Sequence, residues 1–232
     1  ISIITCTFNS EKYLVNALKS IENQSYLEIE HIINDGYSTD STLEIINDYI
    51  ERNRDRYSIR VFQSKPKGVG NALNVATAAA TGDVIHYLHS DDYYLDQNSL
   101  KKVADVFDKN PDLLWVTGNF LIEIRGRKLI LPQTYLLRLN PTTALSTMNL
   151  ISHENTFMKR ELVQKYGAFN ENMEDVVEYS LWLNLIKDNE PLIVDDEFTV
   201  FIIHRGSTST GSIPKFARAI MRAFHTQRKE KV

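Results

Sequence analysis

The run Val84-Ile85-His86-Tyr87-Leu88 is mostly apolar and β-forming, and it breaks into the polar, acidic end His89-Ser90-Asp91-Asp92. A short apolar run bounded by polar residues reads as a strand buried on both faces. Ahead of it, Asn71 to Ala80 is Ala-rich and helical, and Ile59-Arg60-Val61-Phe62 reads as another strand. Further back, Asp40 or Ser41 caps a helix running to about Arg52, with Leu43, Ile46 and Ile50 at helical spacing, after the turn chemistry of Gly36-Tyr37-Ser38-Thr39. Glu28 to Ile33 is a strand, and Ser10 caps a helix over residues 11–23 that carries Leu14, Leu18 and Ile21 on one face. Ile1 to Cys6 opens the chain as a strand. Strands alternating with helices predict an α/β fold: a mostly parallel sheet flanked by helices.

The chain toward its C-terminus is less regular. Leu113–Thr117 and Asn119–Ile124 read as strands, 126–150 as mixed and loop-rich, and a short helix is expected near 159–166. A helix over Val176–Lys187 and strands at Leu192–Val194 and Phe198–Ile202 follow. From Pro214 the residues Phe216, Ile220 and Phe224 recur every four positions, the pattern of an amphipathic helix. Residues 214–232 carry Lys215, Arg218, Arg222, Arg228, Lys229 and Lys231 against Glu230, so this basic tail leaves an acidic body in a chain of net charge −4. An acidic body argues against nucleic acid as a partner.

At 232 residues, 43% hydrophobic and 24% charged, the chain has a globular composition. The single Cys6 excludes a disulfide framework and a cysteine zinc site, and reads as a small buried hydrophobe. No apolar run reaches the roughly 18 residues of a membrane span, and no signal-peptide pattern is visible. The chain begins at Ile1 rather than Met, so a few residues are expected ahead of it.

Ligands of an open α/β sheet bind beyond the carboxyl ends of its strands. Those ends offer Thr7, Phe8 and Asn9; Asn34, Asp35 and Gly36; Lys65, Lys67, Gly68 and Gly70; and His89, Ser90, Asp91 and Asp92. Polar caps, two lysines and an acidic pair suit an anionic ligand held through a divalent cation. Read alone, Asp91 and Asp92 are equally a turn cap. Gly68-Val69-Gly70 lacks the Lys-Ser/Thr ending of a phosphate loop, and no dinucleotide fingerprint follows the first strand. A hydrolase nucleophile elbow is also absent.

Five motifs then occur in order: Thr5-Cys6-Thr7-Phe8-Asn9, Asn34 to Thr42, Gly68 to Asn74, Ala80-Thr81-Gly82-Asp83 and Leu88-His89-Ser90-Asp91-Asp92. With Ser152-His153-Glu154-Asn155-Thr156-Phe157 and Glu178-Tyr179-Ser180-Leu181-Trp182-Leu183, the chain resembles a family 2 glycosyltransferase of the GT-A type over residues 1–207. The resemblance implies a GT-A domain at 1–207, with a nucleotide-sugar half (1–95) and an acceptor half (96–207), followed by the basic helical tail at 208–232. It implies an inverting transfer from a nucleotide-sugar, most often a UDP-sugar, to a saccharide or lipid-linked saccharide in surface-polysaccharide synthesis, with Mn²⁺ or Mg²⁺ as cofactor. By the same resemblance Thr7, Asn9, Glu11, Asp35, Lys65 and Asp91 face the nucleotide-sugar. Asp91, Asp92 and His204 are metal candidates, and Glu178 matches the general base. His153, Glu174 and Asp175 lie on the acceptor side, the last two as rivals for the base.

The sequence departs from the family pattern at Asn34 and His89, where Asp is common, and at Glu178, where the carboxylate is kept on a longer arm. His153 reads equally as an acceptor contact or a polar core residue, His86 as structural, and Trp182 and the tyrosines as core or rim rather than a sugar platform, with Trp115 or Tyr93 as the alternative that stacks on a ring. The tail reads as a contact with an anionic membrane or as packing on the body or a homodimer interface, and the implied location is cytoplasmic, at or near the inner membrane face. Two other functions fit parts of the pattern: a catalytically inactive nucleotide-sugar-binding or scaffold subunit, and a sugar nucleotidyltransferase, which usually carries a Gly-rich basic loop after its first strand.

Overall fold

The computed structural model describes residues 1–131, 133–147, 149–167, 169–171 and 177–204. Glu174, Asp175 and the tail at 208–232 lie outside the described residues, as does the beginning of the helix expected from Val176. The elements in chain order are β1 (Ser2–Thr7), α1 (Glu11–Glu22), β2 (Glu30–Asp35), α2 (Thr42–Asn53), β3 (Ser58–Gln63), α3 (Val69–Thr77), β4 (Val84–Tyr87), β5 (Tyr93–Tyr94) and α4 (Ser99–Lys109). Then come β6 (Trp115–Thr117), β7 (Phe120–Ile124), β8 (Arg127–Leu131), α5 (Gln133–Leu139), α6 (Pro141–Thr147), a 3-10 turn (His153–Asn155), β9 (Thr156–Lys159), α7 (Arg160–Tyr166), α8 (Tyr179–Leu185), β10 (Leu192–Ile193) and β11 (Thr199–Ile203).

Seven strands form the main sheet in the order β10-β6-β9-β4-β1-β2-β3. Strand β1 lies parallel between β2 and β4, with Ile4 opposite both Ile32 and Tyr87. The antiparallel β9 intervenes between β4 and β6. Alternation along β1 and β2 sends Ile3 and Ile33 to one face and Ile4 and Ile32 to the other. On the first face they meet Leu14, Leu18 and Ile21 of α1, Ile46 of α2, and Leu100, Val103 and Phe107 of α4. On the second they meet Leu73 of α3 and a layer built on Trp115, Leu181 and Trp182. Each such fully buried side chain contributes roughly 1.5–3 kcal/mol relative to exposure.

A smaller sheet, β5-β11-β7-β8, stands beyond the carboxyl end of β4. Its hairpin turns at Arg125-Gly126, with both φ angles positive (51° and 76°), the requirement of a two-residue I′ turn. Strand β8 and helices α5 and α6 therefore occupy much of the segment expected to be loop-rich. An arginine in place of Asn or Asp at the turn hides the hairpin from sequence reading. Asn34 and Asp35 lie inside β2 rather than after it, because pairing with β1 and β3 continues through Thr7↔Asp35 and Asp35↔Gln63. No helix among the described residues is long and apolar enough to cross a membrane.

Candidate functional site

The loops after β1, β2 and β4 are tied into one edge by their own polar side chains. Thr7 Oγ1 donates to Asp35 Oδ1 at 2.9 Å, and Ser38 donates to both Asp35 oxygens, from Oγ at 2.5 Å and from its backbone N at 2.9 Å. With Gln63 Nε2 at 3.3 Å, the buried Asp35 takes four hydrogen bonds from the protein, about what two carboxylate oxygens accept. Asn9 adopts φ 50°; its backbone N donates to Ser38 Oγ and its Oδ1 accepts from Thr39 N. Glu11 accepts from Ser41 N at 2.9 Å while its own N donates to Asp40. Ser10 Oγ meets Ser90 Oγ at 3.0 Å, linking the first loop to the acidic one.

Two aromatic rings stand exposed on this edge, Phe8 at 59% and Tyr37 at 51%. They flank Gly36, where a Cβ would come within 3.0 Å of the Phe8 ring and 3.4 Å of Pro66. Lys65 is exposed on the following loop, anchored next door by Ser64 N donating to Asp35 O. An apolar shelf beside polar backbone and a cation suits a flat base with an anionic group beyond it.

The adjacent carboxylates of Asp91 and Asp92 go different ways. Asp91 Oδ2 pairs with His204 Nε2 at 2.8 Å, with side chains 22% and 14% exposed. His204 stacks on Tyr13, ring centroids 4.0 Å apart. Asp92 is buried: its Oδ1 accepts from Ile202 N at 2.8 Å, fixing β11 against β5, and its Oδ2 has no partner among the described residues. Burial, with Asp91 and Glu154 adding repulsion, pushes the Asp92 carboxyl well above the usual carboxylate range. Asp91 and His204 together offer one oxygen and one nitrogen to a cation, while Asp92 braces the strand that delivers His204.

Next to Asp91, His89 meets His153 from the 3-10 turn, and Glu154 completes a group of three donor atoms. Burial holds both imidazoles below the ordinary histidine range and pushes Glu154 up. His153 is thus mostly buried, with its ring against His89 and Glu154. Glu178 sits half-buried at the start of α8, with Oε1 accepting from Asn149 Nδ2 at 3.1 Å. Its neighbour Val177 packs against Gly70 of α3, at the position a Cβ there would approach to 3.3 Å. Asn71 and Asn74 of α3 both donate to Glu171, so the donor-side helix holds the chain just ahead of Glu178.

His86 is structural, as expected: Nε2 donates to the Glu154 carbonyl, Nδ1 accepts from Tyr94, and burial lowers its pKa to about 3. Burial pushes the Cys6 thiol up to about 12. Trp115 does not serve as a sugar platform; it is fully buried and stacks on Trp182. Tyr93 donates to Glu123 at 2.5 Å. Glu154 and Asn149 were not singled out from sequence, since nothing local marks their contacts with His153 and Glu178.

The glycosyl transferase family 2 profile matches residues 2–167. Chondroitin synthase of Escherichia coli is 31% identical over 186 residues, which is 80% of this chain and 26% of that protein. The structure of Staphylococcus aureus TarS residues 1–349 in complex with UDP-GlcNAc aligns with a TM-score of 0.74 at 23% identity, covering 90% of this chain and 60% of that one. The mannosyltransferase PcManGT of Pyrobaculum calidifontis, in complex with GDP-Man and Mn²⁺, aligns with a TM-score of 0.70 at 19% identity, covering 95% of this chain and 64% of that one. The chain thus spans about a quarter of the chondroitin synthase and less than two thirds of either solved chain, whose GT-A fold it shares.

Proposed function

Because the chain belongs to glycosyl transferase family 2, we propose that it transfers a sugar from a nucleotide-sugar to a saccharide or lipid-linked saccharide acceptor, with inversion at the anomeric carbon. The observation that carries the reading is the Asp91–His204 pair at the carboxyl edge of the sheet, beside the shelf of Phe8, Gly36 and Tyr37. In this reading Phe8 and Tyr37 flank the nucleobase, and Asp35 shapes its pocket, reaching the base when the long Gln63 contact yields. Asn9, Glu11 and their partners hold the loops, and Lys65 faces the diphosphate. A UDP-sugar is favoured as donor by the TarS complex, though the GDP-Man complex of the mannosyltransferase shows that the fold takes another base.

An oxygen and a nitrogen 2.8 Å apart on two separate elements fit one edge of a divalent cation's shell, and the nitrogen suits Mn²⁺ better than Mg²⁺. When bound, such an ion supplies Lewis-acid stabilisation of the leaving nucleoside diphosphate. Across the pocket, Glu178 takes the proton of the attacking acceptor hydroxyl as the new glycosidic bond forms and the bond to the diphosphate breaks. Asn149 orients the carboxylate, and general-base help of this kind is worth roughly 10²–10⁴-fold.

The test is a thermal-shift series with UDP, GDP and their sugars, with and without Mn²⁺. Ligand binding to the folded state alone raises the melting point by mass action. A Mn²⁺-dependent shift that disappears in Asp91→Asn is expected, and the strongest base names the donor. No shift with any nucleotide overturns the donor-site reading.

A further inference from the structure

A group of donors beside the Asp91–His204 pair has no part in the reading above. His89 Nε2 lies 2.5 Å from His153 Nε2, His153 Nε2 lies 3.1 Å from Glu154 Oε1, and all three donor atoms fall within 4.8 Å of one another. The rings cross nearly at right angles, 87°, with centroids 4.5 Å apart. Ser152 Oγ donates to the other Glu154 oxygen at 2.5 Å, which leaves Oε1 turned to the histidines.

Charge points the same way. Three carboxylates, those of Asp91, Asp92 and Glu154, lie close enough in this corner to repel one another. Among the described residues none of the three pairs with a lysine or arginine; Asp91 pairs with His204 and Glu154 with His153. Asp92 Oδ2 is buried and unpartnered in the same neighbourhood. A pocket that gathers several carboxylates and two imidazoles attracts a cation.

We propose that His89, His153 and Glu154 form a second divalent-cation site, distinct from the Asp91–His204 pair and selective for zinc-like ions over Mg²⁺. Two neutral imidazoles and one carboxylate are a donor set that zinc accepts with one position left open, whereas Mg²⁺ prefers an all-oxygen octahedron. Metal–nitrogen bonds of about 2.0–2.1 Å in a tetrahedron place donors roughly 3.3–3.4 Å apart. The His153–Glu154 separation of 3.1 Å is already close to that, and His89 must retreat by somewhat under about 1 Å. The His153 side chain keeps 14% of its surface exposed, so the ion has an approach. Bound there, it ties the end of β4 to the turn that leads into β9, joining the donor and acceptor halves across the main sheet. This site does not depend on the transferase reading; a chain that transfers nothing would still bind the ion.

Titration of the metal-stripped full chain with Co²⁺, without nucleotide, tests it by visible absorption, Zn²⁺ serving as competitor. We expect one equivalent of Co²⁺ with intense, tetrahedral-type bands, displaced by Zn²⁺ and not by millimolar Mg²⁺. Affinity falls at least tenfold in His89→Ala and in His153→Ala and changes less than threefold in His204→Ala. If circular dichroism shows that His153→Ala does not fold, His153→Gln replaces it, since Gln keeps bulk and a polar end at that position. Absence of tetrahedral bands in the folded wild type overturns the proposal. So does binding lost in His204→Ala and kept in the His89 and His153 variants, which would assign the ion to the Asp91–His204 pair alone.

Discussion

Replacing Glu30 by Gln removes a charge that the amino ends of the strands are built around. Glu30 Oε1 accepts from Ser2 Oγ, Thr81 N, Thr81 Oγ1 and Gly82 N at 2.6–2.9 Å, and Oε2 pairs with Arg60. Burial alone would raise this carboxyl, whose side chain is 11% exposed; the hydrogen bonds from Ser2, Thr81 and Gly82 outweigh it and bring the pKa down from 4.5 to about 2. A group with a depressed folded-state pKa stabilises the fold above its unfolded value and loses that contribution as pH falls through the folded value. At 1.36 kcal/mol per unit, the lowering amounts to about 3 kcal/mol at pH 7, of which only about 1.4 kcal/mol remains at pH 3.

Urea unfolding of wild type and Glu30→Gln at several pH values reads this directly. The stability gap should be about 2–3 kcal/mol at pH 7 and shrink by more than half by pH 3, with unchanged m-values. The residue sits at the strand ends opposite the candidate site, so nucleotide binding per folded molecule should match wild type. A gap that stays constant between pH 7 and pH 3 would refute the assignment of the stabilisation to the carboxylate's charge.

Gly118→Ala should be the most damaging small substitution at the junction of the two sheets. Its Cβ would come within 2.3 Å of the Asp196 carbonyl oxygen, so the expected loss is about 3 kcal/mol or more by thermal or urea unfolding. Asp92→Asn should keep the fold near wild-type stability, since the buried carboxyl is held toward its neutral form and Oδ1 can still accept from Ile202 N. The same variant should keep the Mn²⁺-dependent shift with nucleotide that Asp91→Asn loses; equal loss in both would place Asp92 on the metal.

The first half of the fold was legible because its signals are local. The spacing of Leu14, Leu18 and Ile21 marks α1, and short β-forming runs around Ile32-Ile33 and Val84-Ile85 mark β2 and β4. Helix α4 carries the same kind of pattern, Leu100, Val103, Ala104 and Phe107, and is legible on the same grounds. Of the smaller sheet, β7 and β11 read as strands, but β5 does not, because it has two residues and owes its existence to pairing with β11, more than a hundred positions away. In the site, Asp91 and Asp92 look equivalent in sequence. Only the fold sends one toward His204 and the other toward the Ile202 backbone. The contact between His89 and His153 likewise depends on β9 inserting beside β4, which no local pattern announces.

The measurement closest to the central claim is the rate of sugar transfer by Glu178→Gln at a donor concentration that saturates both it and wild type. Gln keeps the side chain's size and its acceptor toward Asn149 while removing the base. The account predicts unchanged donor binding and a transfer rate lower by roughly 10²-fold or more. A Glu178→Gln variant that transfers within a fewfold of wild type would contradict it, as would a wild-type chain that binds nucleotide-sugar and turns over none across a range of acceptors.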